Sequence, residues 1–353
     1  MDNLFDVLDF GAVADGETDS TSAFQKALDK AGEVFGTVVV PPGTYMCNKL
    51  TMRPRTGLKG YSSWSFRGEA SGSIIKLMSA NNECLLDITD AFGATIQGMY
   101  LEGQHLGDNV HGVMVNRETQ GAQEDTPVIE DCYIGSFSGN GIMFHRIWCF
   151  RIRHSMVARN LKNGLYIKGW DGFVLDCWFT GNKGYGIMAD DDNASVTVTG
   201  NRIEWNGGGV RIKNGSNWNL TGNYIDRSSG AGIYVGGHKK RSHTITMIGN
   251  IIYRSGAFIE KWPAELSGHE NSQVLLDGCD NIVCTSNIML AGCDDGGTGV
   301  YSPNYGIVAR NLAYSIIKDN VGQNGCLKEF FADLGGHGEC VKIADNFGSK
   351  KVL

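Results

Sequence analysis

Two carboxylates, Glu204 and Asp226, hold the same place in consecutive copies of one phrase. Thr199-Gly200-Asn201-Arg202-Ile203-Glu204 returns as Thr221-Gly222-Asn223-Tyr224-Ile225-Asp226, and Tyr253 stands at the matching place one copy later. Ile203, Ile225 and Ile252 are expected to point inward, so their neighbours point out. Carboxylates one repeat apart repel, which raises the pKa of one and yields an acid and a base for general acid/base work. Arg227 and Arg254 repeat beside them, as substrate contacts or as partners in a solvated charge ladder. A third acidic feature is the Asp294-Asp295 turn. Cleaving a glycosidic bond takes two carboxyl groups about 5 to 9.5 Å apart, a spacing that neighbouring repeats supply. The expected catalytic set is therefore Asp226 or Glu204 as one partner and Asp294 or Asp295 as the other. The plain alternative is that Asp-Asp-Gly-Gly is ordinary turn chemistry.

Further residues fit a sugar site. Asp190, Asp191 and Asp192 follow one another. They offer oxygen ligands to calcium, or Asp191 a contact to sugar hydroxyls, or they are a solvated turn. No metal site or cofactor is expected. His238 lies in a basic run, Trp262, His269 and Glu270 in a second polar segment, and Tyr301 in a third, close to Tyr305. Aromatic rings stack on sugars and basic groups hold carboxylates or hydroxyls. The expected substrate contacts are Arg227, Arg254, His238, Trp262, His269, Glu270, Tyr301, Tyr253 and Asp191. His145 and His154 read as structural.

The spacing shows what must carry these groups. A Gly followed by an aliphatic recurs at Gly141, Gly164, Gly186, Gly209 and Gly232, in steps of 23, 22, 23 and 23 residues. Short β-rich runs repeated at that period are the mark of a solenoid, and the Gly marks the first strand of each coil. Asn201, Asn223, Asn250, Asn287 and Asn320 follow the next strand. An Asn ladder at a turn is a structural device, because Asn tolerates left-handed backbone and bonds along a stack. Four segments exceed the coil length: 116–127, 236–243, 257–272 and 293–304. Each lies beside a first strand, so they are expected to wall a groove over that sheet.

Residues 5–45 precede the coils. They read as a strand, an acidic Gly turn, a helix from Thr21 to Ala31 capped by Asp19 or Ser20, and a strand at Val38–Val40 ended by Pro41-Pro42-Gly43. Phe24, Ala27, Leu28 and Ala31 form the apolar face, and the helix is expected to cap the open end of the first coil. The run from Asp9-Phe10-Gly11 through Gly36-Thr37-Val38-Val39-Val40-Pro41-Pro42-Gly43-Thr44-Tyr45 resembles the N-terminal signature of the pectate-lyase superfamily. That group also holds polygalacturonase-like proteins, phage tailspikes and β-helical epimerases. The resemblance implies an all-β fold, a right-handed parallel β-helix of about 22–23 residues per coil with an N-terminal capping helix. The expected organisation is one domain over 1–353, with a cap at 1–45, coils at 46–325 and a closing segment at 326–353. The Asp294-Asp295 turn is similar to the aspartate pair of polygalacturonase-like enzymes, while their His and Lys motifs have no recognisable counterpart here. Lyases of the superfamily often use calcium.

Composition bounds the rest. Glycine is the outlier at 49 residues against 6 prolines, which fits many tight turns. A net charge of −7 with no basic stripe argues against nucleic acid. No apolar run reaches the length of a membrane span. Ten cysteines without metal spacing, and no leader at the N-terminus, favour a reducing, cytoplasmic setting, with a trimmed secreted form as the alternative. The expected function is a glycoside hydrolase or transglycosidase working on an oligo- or polysaccharide over the first sheet, as a monomer or homotrimer. Alternatives are a polysaccharide lyase on an acidic glycan, an inulin-type fructotransferase, and a non-catalytic tailspike-like glycan binder.

Overall fold

A computed structural model describes residues 3–62, 64–237, 240–256, 269, 271–293, 300–301 and 303–350. The chain divides into two compact units, 1–178 and 179–353.

In the first unit the helix runs Thr21–Val34, three residues beyond its expected end. Asp19 accepts the Thr21 amide at 2.9 Å, while the Ser20 hydroxyl turns away to Val13. Asp19, not Ser20, therefore satisfies an orphan amide of the first turn. Phe24, Ala27, Leu28 and Ala31 are buried as their spacing requires, and Phe24 meets Tyr45 edge-on at 5.2 Å. The acidic run expected as a turn is instead a strand, Asp15–Asp19, paired with Gly43–Cys47. The Asp15 carboxylate accepts the Glu17 and Thr18 amides, a local turn held inside the strand.

The coils follow, stacked by parallel ladders. First strands at Cys84–Asp87, His111–Asn116, Ile142–Arg153 and Leu165–Leu175 stack in register. Second strands stack from Gly57–Lys59 through Thr95–Gln97 and Val128–Glu130. Third strands stack from Ser73–Leu77 through Tyr100–Glu102, Tyr133–Gly135 and Met156–Ala158 in a separate sheet. Ile142–Arg153 bends through both first and second positions, which joins these into one sheet. The inward row Val113, Ile142 and Leu165 is fully buried. Removing such side chains from water supplies about 1.5–3 kcal/mol each.

The 116–127 segment is clasped from within. Arg117 binds the buried Asp125, and the same carboxylate accepts the Trp148 amide at 2.8 Å. Another departure falls between Lys59 and Ser73. Later coils turn from second to third strand over two residues, Gly98-Met99, Asp131-Cys132 and His154-Ser155, whereas here residues 60–72 intervene. This strap lays Phe66 and Ala70 over Ile74, Tyr100 and Tyr133.

The second unit repeats the same coil. Gly208–Ile212, Gly215–Thr221 and Tyr224–Asp226 form one turn of it, and Ile233–Gly236, Ser242–Ile248 and Ile251–Tyr253 the next. The expected Asn ladder is present. Each side-chain amide donates to the next carbonyl: Asn201 to Asn223, Asn223 to Asn250, Asn250 to Asn287 and Asn287 to Asn320, at 2.9–3.0 Å. Asn346 extends it by a rung at 2.8 Å. The closing segment carries the strands of a last coil, Glu329–Asp333, Val341–Ala344 and Phe347–Lys350. No helix is long and apolar enough to cross a membrane among the described residues.

Asn250 is fully buried; its amide also donates to Leu220, and its carbonyl accepts from the Asn223 amide and backbone. Replacing it leaves several buried groups unsatisfied, each costing about 1–3 kcal/mol. Asn250→Ala is expected to lower unfolding free energy by about 3 kcal/mol in urea denaturation. Lys342→Ala, an exposed control on the last coil, is expected to change it by less than about 0.5 kcal/mol.

Candidate active site

The register places Glu204 beside Asp226 and Asp226 beside Tyr253 on the third strands, as the repeat required. The environment differs from the expected solvated face. Asp226 is buried, and both its oxygens are taken by guanidinium groups. Arg254 binds it in a fork, Nε to Oδ1 at 3.0 Å and Nη2 to Oδ2 at 2.7 Å, and Arg227 reaches Oδ2. The arginines are themselves buried, with Arg227 4.3 Å from the Trp205 ring and Arg254 3.8 Å from the Tyr253 ring. Glu204 has its own partner, Arg202, which lies 4.4 Å from the Tyr224 ring. So each carboxylate faces guanidinium, not a competing carboxylate. Two guanidinium groups around the buried Asp226 suit a structural ion pair.

Other expected site residues separate. Asp294, Asp295, His238, Trp262 and Glu270 lie outside the described residues. The backbone at Tyr301 pairs antiparallel with Gly292. His269 is half-buried, its ring 5.8 Å from that of Tyr305. The three successive aspartates diverge. Asp190 binds Lys213 at 2.8 Å, Asp191 accepts from Asn214, and Asp192 stands 3.9 Å from Lys240. Among the described residues no group of three or more His, Cys, Asp or Glu is placed to hold a metal ion.

A cleft of about 370 Å³ in the second unit, by contrast, draws residues from several coils. Lys240, Arg241 and Arg310 line it with one carboxylate, Asp277. Arg310 binds Asp277 in a fork, and Asn311 donates to the same carboxylate at 3.4 Å. Arg241 holds Asp280 at 2.7 Å and donates to the Cys279 carbonyl at 3.0 Å. Gly236 borders the cleft at φ +146°, and a Cβ there would stand 1.9 Å from the Asp277 carbonyl oxygen, so only glycine permits this approach.

Close by lies Arg211, 6% exposed. Its guanidinium donates to the Ile212 and Gly236 carbonyls, both at 2.8 Å, and sits 3.5 Å from the Tyr234 ring. No carboxylate contact to it is found among the described residues. Sequence reasoning missed Arg211, Asp277 and Arg310. Gly306-Ile307 is a further Gly-aliphatic pair of the marker type, and Arg310 lies four residues after its Gly, a countable position. Asp277 lost its marker because Gln273 replaces the usual Gly; it is fully buried and donates to the Leu290 and Gly325 carbonyls.

In the first unit, Asn116, His145 and Lys168 form one register row on the first strands. His145 Nδ1 is 3.1 Å from Asn116 Oδ1. Burial, then Lys168 and Arg146, hold its pKa below the usual histidine value, which favours the neutral ring. A neutral ring can accept a proton.

A family model described as a right handed beta helix region matches residues 85–252. The fold of the chain is a right-handed parallel β-helix. A capsule K30/K69-specific depolymerase of Klebsiella phage K64-1 is 27% identical over 321 residues, covering 75% of this chain. The match spans 41% of that protein's length. Among solved structures, the A-module of the Azotobacter vinelandii mannuronan C-5 epimerase AlgE6 superposes with a TM-score of 0.66 over 98% of each chain, at 19% identity. Arthrobacter chlorophenolicus DFA-IIIase in complex with GF2 gives 0.66 over 94% of each, at 11% identity. The enzymatically active domain of bacteriophage CBA120 tailspike protein 2 gives 0.69 over 89% of this chain and 47% of that one, at 14% identity. These structures share the fold of this β-helix.

The ion triad tests how Asp226 acts. Removing one partner of a buried pair costs about 3–5 kcal/mol, because a charge is left uncompensated. Asp226→Asn is expected to lower the denaturation midpoint strongly, with a loss of about 3 kcal/mol. Arg254→Met is expected to cost a similar amount. An unchanged midpoint for both would show that the triad is not part of the scaffold.

Proposed function

We propose that this β-helix is a polysaccharide-cleaving enzyme whose substrate carries carboxylate groups. The observation that carries the proposal is its likeness to the capsule depolymerase over three quarters of the chain. The second-unit cleft supports the acidic character of the substrate. Lys240, Arg241 and Arg310 line it, each within ion-pair range of one carboxylate, Asp192, Asp280 and Asp277, and a substrate carboxylate can share their donors. A guanidinium fork suits a sugar carboxylate in geometry and charge.

Hydrolysis by paired carboxylates is the reading suggested by Glu204, Asp226, Asp294 and Asp295. The cleft favours a second reading, elimination. There a base removes the proton beside the sugar carboxylate, the glycosidic C–O bond breaks, a C=C bond forms, and the departing oxygen takes a proton. Cationic groups that neutralise the carboxylate make that proton easier to remove. Nothing in hydrolysis needs them.

The test is product analysis after incubation with a panel of acidic and neutral polysaccharides. Cleavage of an acidic polymer, with new ultraviolet absorbance from the double bond, supports elimination. New reducing ends without that absorbance support hydrolysis. Arg310→Met is expected to lower kcat/KM at least ~10-fold on the cleaved polymer, the scale of a lost charge-assisted contact. Cleavage of neutral polymers alone, or none across the panel, contradicts the proposal.

A further inference from the structure

A second cleft, of about 470 Å³, lies in the first unit beside the 60–72 strap. It sits at the corner between second and third strands, not on the first-strand face. Trp64 supplies a half-exposed indole, and Lys59, Gln97 and Asp131 supply polar groups from three successive coils. We propose that this cleft is a second glycan-binding site, which takes uncharged sugar units and is separate from the site of cleavage.

Three features carry the inference. The first is lining chemistry. Trp64 offers an aromatic face of the kind that stacks on sugar rings, and its volume falls in the range of small-ligand sites. Around it stand a donor, an acceptor and an amide that is both, the set that hydroxyl groups need. Lys59 and Asp131 balance each other in charge, so nothing in the lining selects an anion. The second is availability. Among the described residues, the side chains of Lys59, Gln97 and Asp131 make no hydrogen bond or ion pair, whereas Glu130, next to Asp131, is bound by Arg153 at 2.8 Å. Polar groups left open around an aromatic platform are ready for a ligand.

The third feature is preorganisation. A strap eleven residues longer than its two-residue counterparts would cost entropy to order on binding. Here its described residues 61, 62, 64, 66 and 70 are already held. Trp64, Phe66 and Ala70 pack on the buried cluster that holds the stacked pair Tyr100 and Tyr133, whose ring centres are 4.1 Å apart. The Arg159 guanidinium lies 4.7 Å from the Phe66 ring and donates to the Phe66 carbonyl. Ser62 donates to the Ser73 carbonyl at 2.7 Å, and the Tyr61 amide donates to the Ser73 hydroxyl at 2.9 Å. Trp64 meets Trp178 at 5.8 Å between ring centres and 56° between planes. The indole is thus held in place before any ligand arrives, which lowers the cost of capture.

Affinity electrophoresis of the full chain tests this, in gels containing dextran, galactan or mannan, and in gels containing whichever polymer the chain cleaves. Retardation is expected in at least one gel. Trp64→Ala, and separately the double variant Lys59→Ser with Gln97→Ser, are expected to weaken it at least ~3-fold. The double variant guards against misfolding, because both side chains lie outside the packed strap. Retardation is read without cleavage, so a failed depolymerase assay leaves this test intact. No retardation in any gel, or retardation of both variants equal to wild type, overturns the proposal.

Discussion

The in-register parallel stack is the constraint on which the rest depends. A strand has a side-chain period of two, so slipping one residue between coils would turn every core residue outward. In the second unit the Asn ladder opposes that slip. Each buried Asn side chain bonds the coil above and the coil below, and each also receives the backbone amide of its neighbour, as Asn250 does from Asn223. One shifted coil would break the chain of bonds on both sides. Hydrophobic burial then follows from register, with Val210, Ile233, Val274 and Ile307 forming a continuous inward row.

Register also decides where charge can go. Outward positions next to the inward row receive Arg211, Tyr234, Leu275 and Val308, and the row beyond them ends in Asp277 and Arg310. Because parallel neighbours stand about 4.8 Å apart, charges on successive coils fall within ion-pair range. The Asp277–Arg310 fork and the Arg227–Asp226–Arg254 triad both arise this way. They differ in surroundings. The triad is buried on the third-strand side and consistent with scaffold, whereas the fork opens onto a cleft with two further cations.

Much of the fold was legible because its signals are local and repeated. The Gly markers, the Asn positions, and Phe24, Ala27, Leu28 and Ala31 each follow from one side chain's geometry or from a helical period. The site was less legible because it depends on which side chains meet across coils. Asp226 has an acid's pattern in the repeat, yet its burial is decided by Arg254, 28 residues later. Asp277 went unnoticed because Gln273 fills the place of Gly and breaks the marker series. The 60–72 strap carries no repeat at all, so its packing on Tyr100 and Tyr133 could come only from the structure.

The most direct test of the central claim is a crystal structure of the protein with an oligosaccharide released from the polymer it cleaves. The account predicts a sugar carboxylate within hydrogen-bond distance of Arg310, Arg241 or Lys240 in the second-unit cleft. An oligosaccharide bound elsewhere on the coils, with that cleft free of sugar, would contradict it.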